Sequence, residues 1–68
     1  MDQTVLEMVM RHIREAEARV QHQRHLVDRM AKQNLPTEEA KALLAEFELN
    51  LANHRLHLDL LLKPLRAA

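Results

Sequence analysis

Residues 34–39, Asn34-Leu35-Pro36-Thr37-Glu38-Glu39 (NLPTEE), are the one clear break in a chain dominated by Ala, Leu, Glu, Arg and Gln. Those five residue types are good helix formers, so the break decides how many helices there are. Asn34 tolerates the left-handed backbone that closes a helix. Pro36 has no amide hydrogen for a helix interior, and its ring pushes Leu35 toward extended geometry. Thr37 is placed to cap a second helix, whose positive dipole end then meets Glu38 and Glu39. Thr4 or Asp2 caps the first helix. Pro64 is expected to end or kink the second near Lys63. The reading is a single domain: a helix over about residues 3–33, a turn at 34–37 and a helix over about 38–63. So short a connection makes the helices antiparallel neighbours.

Apolar spacing on either side of the break supplies the packing. Leu6, Val9, Ile13, Ala16, Val20, Gln23, Val27 and Met30 recur at alternating steps of three and four. So do Ala40, Leu44, Phe47, Leu51, His54, Leu58, Leu61 and Leu65. A repeat of 3.5 residues marks a left-handed coiled-coil hairpin. Counting outward from the turn sets Val27 near Leu44, Val20 near Leu51, Ile13 near Leu58 and Val9 near Leu61. Two seam positions are polar: Gln23, opposite about Phe47, and His54, opposite about Ala16. Same-helix ion pairs are expected between Glu7 and Arg11, Glu15 and Arg19, Asp28 and Lys32, and Asp59 and Lys63.

The second helix carries another apolar stripe, well round from the seam: Ala42, Ala45, Leu49, Ala52, Leu56 and Leu60. The first helix has only a partial counterpart in Val5, Met8 and Met10. A helix apolar on two sides needs partners on both. Sixty-eight residues also bury little core for a lone monomer. The expected solution is a homodimer through the second helix, making a four-helix bundle from two hairpins. A different, unidentified protein partner could use the same face.

Composition removes several function classes. There is no Cys, Gly, Trp or Tyr and only one Phe. Thiolate metal sites, disulfides, thiol nucleophiles, Gly-rich phosphate loops and base-stacking platforms are therefore excluded. Ser is absent too, and a thin hairpin offers no evident substrate cleft, so an enzyme is not expected. Ten basic and ten acidic side chains balance, giving no global attraction to nucleic acid or anionic lipid. The longest Leu run, Leu60-Leu61-Leu62, is far too short to span a bilayer. The N-terminus has charges within its apolar stretch and does not read as a signal peptide. A cytoplasmic location without membrane or cofactor is the expectation.

Five histidines supply the remaining chemistry. His54 and His57 are three apart, as are His22 and His25, a spacing usable by two metal ligands. The two pairs fall more than a helical turn apart in one hairpin, which disfavours a four-histidine site within a single copy. His54 is read as a register-setting polar layer, bonded to Glu17 or water. His57 and His12 are read as flanking residues, with His12 near Asp59, and His22 and His25 as solvent-facing. Histidines gain charge below about pH 6.5, so a pH-responsive or metal-binding regulator is the second functional reading. The third is nucleic-acid binding through Arg11, Arg14, His22, His25, Arg29 and Lys32. Glu7, Glu15 and Asp28 interrupt that face, so a solvated surface of mixed sign is expected there.

His12-Ile13, Gln23 with Leu26-Val27, Ala40 with Leu43-Leu44, Phe47-Glu48, Leu51, His54, His57, Asp59 and Leu61 together resemble the pattern of a group of short, uncharacterised bacterial proteins. The likeness spans about residues 12–62. It departs at the turn, where Asn34-Leu35-Pro36-Thr37 stands in place of a Gly-containing connection. It implies a helical hairpin and carries no mechanism. The expected function is that of a small, non-enzymatic protein–protein interaction module that self-associates through its second helix.

Overall fold

The computed structural model describes residues 4–67. It contains two helices, α1 (Val5–Lys32) and α2 (Glu38–Ala67), and no strand among the described residues. The helices pack along one another as an all-α hairpin, 53 × 28 × 14 Å in extent. The smallest dimension is the thickness of one helical layer.

Local chemistry sets the helix ends. Thr4 has extended backbone angles and its Oγ1 accepts from the Glu7 amide at 3.1 Å, which caps α1. The alternative cap, Asp2, lies outside the described residues. At the other end Asn34 is left-handed, with φ 58°. The Asn34 amide donates to the Ala31 carbonyl at 3.1 Å, and the Leu35 amide to the Met30 carbonyl at 2.9 Å. These paired bonds form a Schellman motif, which satisfies carbonyls that the end of α1 would leave open. Thr37 takes the N-cap position of α2, its carbonyl accepting from the Lys41 amide at 2.8 Å.

Pro64 does not stop α2 near Lys63: the helix continues to Ala67. A proline removes one amide donor, here the one directed at the Leu60 carbonyl. So close to the helix end, that is the loss of a single bond. Arg66 also braces this turn from outside, its guanidinium donating to the Asp59 carbonyl at 3.0 Å and to the Asp59 carboxylate.

The seam matches the 3.5-residue repeat. Val9, Ala16, Val20, Gln23 and Val27 of α1 are buried, as is Leu51 of α2. Ala16, Val20 and Leu51 form the central cluster, with Ile13, Leu44 and Phe47 packed against it. Ala40, His54, Leu58 and Leu61 are half-buried. The repeat fails at its outer ends, where Leu6 and Leu65 are exposed. Leu65 lies in the last turn of α2, level with the first turn of α1.

Candidate interaction surface

Large apolar residues are left exposed at the start of α1 (Val5, Leu6, Met8 and Met10) and along the length of α2. Leu49, Leu56 and Leu60 are 64%, 57% and 55% exposed. Ala42, Ala45 and Ala52, which complete their stripe, are exposed as well. At 3.6 residues per turn the stripe centres roughly opposite the seam, on the edge of the layer turned away from α1. The corresponding edge of α1 is polar: Arg11, Arg14, Gln21, His25, Asp28 and Lys32 are all exposed there. The hairpin therefore has one wettable edge and one apolar edge.

The two broad faces of the layer also differ. On one, Arg24 of α1 donates to Glu48 of α2 at 3.1 Å, and Arg55 of α2 donates to Glu17 of α1 at 3.3 Å. These cross-helix pairs sit over the Val20–Leu51 part of the core, with Gln21 beside them. On the other face, Ala18, Arg19, His22, Gln23, Leu43 and Phe47 line a shallow, mainly apolar groove. Its apolar members on α2, Leu43 and Phe47, are four apart, a spacing that a single-seam reading passes over.

Electrostatic pairing differs from the local expectation. Arg11 bonds forward to Glu15 at 3.6 Å, not back to Glu7. Arg19 reaches Asn50 across the hairpin at 3.5 Å, not Glu15. Asp59 is held by Arg66, not Lys63, and Asp28 and Lys32 instead line a common surface groove. Exposed side chains choose among partners separated by a few tenths of a kcal/mol, so one same-helix pair yields readily to another partner within reach.

Of the polar seam residues, Gln23 is 5% exposed, and its Nε2 donates to the Ala40 carbonyl at 2.9 Å. Phe47, its expected counterpart, shares only the wall of the apolar groove with it. His54 is half-buried, and its ring lies 5.5 Å from that of His12, tilted by 50°. Glu17, the carboxylate expected beside His54, is committed to Arg55, and Asp59, expected near His12, to Arg66. The His12 partnership was not visible from spacing alone, because it joins a flank position of α1 to a seam position of α2.

The other histidines stay apart from this pair. His57 is exposed. His22 and His25 are exposed too, and share an open groove on α1 with Asp28, Arg29 and Lys32. Asp28 places a carboxylate within this stretch of the basic face, so its charge is mixed. Among the described residues no three His, Asp or Glu side chains converge into a metal-holding group, and no helix is long and apolar enough to cross a membrane. No protein-family model, curated protein or solved structure matches this chain.

Proposed function

We propose that this chain is a small, non-enzymatic protein–protein interaction module, that its binding surface is the outer stripe of α2, and that it binds a second copy of itself. One observation carries this reading. Leu49, Leu56 and Leu60 are each more than half exposed on one edge, while among the described residues five apolar side chains are buried inside the hairpin. Contiguous apolar surface on a small soluble chain marks an interaction site. A chain with so little internal core also gains from association. Two hairpins joined through α2 make a four-helix assembly in which the stripe is covered.

Light scattering combined with size exclusion tests this. The native chain is expected at twice its 8.0 kDa mass. Leu49→Glu and Leu56→Glu, which place a carboxylate in the contact, are expected at the single-chain mass with their helical circular dichroism retained. A native chain of monomeric mass, or variants that remain dimeric, would overturn the reading.

A further inference from the structure

We infer that α2 pairs antiparallel with α2 of a second copy, about a twofold axis passing between Asn50 and Leu51, to give an open row α1–α2–α2–α1. This inference rests on the proposed self-association and specifies its geometry.

The order of large and small residues carries it. Along the exposed edge the stripe reads Ala42, Ala45, Leu49, Ala52, Leu56, Leu60. Reversed upon itself about its midpoint, it sets Leu49 against Ala52 of the second copy and Leu56 against Ala45. Leu60 falls beside Ala42. Every leucine then meets an alanine, the alternation that lets facing layers interdigitate. Small residues opposite large ones bring the axes toward the short end of the usual 8–10 Å range. A parallel twofold pairing would stack Leu49 on Leu49 and Ala52 on Ala52, crowding some layers and hollowing others.

Charge agrees with the antiparallel direction. On the flank shared with the cross-helix ion pairs, Glu48 comes opposite Arg55 of the second copy. Glu48 is already bonded to Arg24, and Arg55 to Glu17. The result is an alternating chain, Arg24–Glu48–Arg55–Glu17, running across the junction twice by symmetry. On the other flank Glu46 meets the neutral Asn53. At the ends of the contact Glu38 meets Lys63, and neither has an ion-pair partner among the described residues. No like charges face one another in this register.

The position of the stripe fixes the row. It lies on the edge away from α1, so covering it places the two α2 helices in the middle and the polar edges of α1 outside. A closed square bundle would instead require the second contact to lie about a quarter turn from the seam.

Single-site spin labels test the direction, since the chain has no cysteine and each label is unique. Glu39→Cys and Asn53→Cys lie on the same flank of α2, outside the stripe. With a rise of 1.5 Å per residue, the antiparallel register separates the two copies by about 35 Å along the axis at residue 39 and about 8 Å at residue 53. The spin–spin separation at residue 39 is therefore expected to exceed that at 53 by roughly 25 Å. Equal, short separations would mean a parallel pairing and overturn the inference. Long separations at both sites in a sample of dimeric mass would mean that copies meet elsewhere, and overturn it too. A monomeric mass with no dipolar signal would show that self-association itself fails.

Discussion

The Gln23 side chain crosses the hairpin to donate to the Ala40 carbonyl, 2.9 Å away, from a position that is almost fully buried. It ties the third quarter of α1 to the first turn of α2, next to the loop. Ala40 already lies in a helix, so its carbonyl is a second-lone-pair acceptor and not a gap in the ladder. A neutral hydrogen bond of this kind is worth about 1 kcal/mol net. Gln23→Ala loses that bond and opens a void beside Phe47 and Leu43. It is expected to lower unfolding free energy by about 1–2 kcal/mol. Gln23→Met keeps the volume and removes the buried polar atoms, and is expected to stay within about 1 kcal/mol of the parent. Urea titration followed by circular dichroism at fixed protein concentration separates the two. Equal losses would mean that volume has no part in the effect.

At the turn, Asn34 holds φ 58° without being glycine. The left-handed region costs a residue with a Cβ about 1–2 kcal/mol, and Asn less because its side chain bonds locally. Asn34→Ala is accordingly expected to destabilise the hairpin by about 1 kcal/mol. Asn34→Gly removes the strain but loosens the unfolded chain, and is expected to be neutral or slightly stabilising. The same urea titration reads both. An alanine variant as stable as the parent would mean that the Schellman bonds at Asn34 and Leu35 survive without a left-handed residue.

The ring pair His12–His54 joins the two helices at 5.5 Å. Tilted aromatic pairs at this separation contribute about 0.5–1.5 kcal/mol beyond their buried area. A double-mutant cycle with His12→Ala and His54→Ala is expected to give a coupling of about 0.5–1 kcal/mol. His54→Leu, which puts an apolar side chain at this seam position, is expected to raise stability. Additive single effects would reduce the ring contact to mere adjacency.

Much of this architecture was legible because one physical quantity, burial, imposes its period on the residues. The steps of three and four placed Val9, Ala16, Val20, Gln23, Val27 and Leu51 inside, and all six are buried. Asn34 and Pro36 marked the turn through backbone chemistry that acts within a few residues. What stayed hidden depends on cross-helix geometry. The choice of Arg55 over His54 as the partner of Glu17, and the meeting of His12 with His54, follow from how flank side chains lean between two axes. Spacing along one helix carries no record of that lean. Leu6 and Leu65 fit the repeat and are exposed nonetheless, because periodicity says which side a residue faces and not whether the partner helix reaches it.

Pro64 gives the last test. A proline in a helix interior costs about 3 kcal/mol against alanine, through the lost amide bond and the clash with the preceding turn. α2 nevertheless runs through it to Ala67. Only the last turn lies beyond the break, so little helix is left to lose, and Arg66 folds back onto the carbonyl and carboxylate of Asp59. Pro64→Ala restores an amide for the Leu60 carbonyl. It is expected to slow hydrogen exchange at the amides of residues 65–67 several-fold while leaving those near Leu51 unchanged, because the gain is local. Arg66→Ala is expected to do the reverse, speeding exchange in the same turn. If the proline variant protected amides throughout α2, the break at Pro64 would be felt along the whole helix, and the bracing by Arg66 would not account for its tolerance.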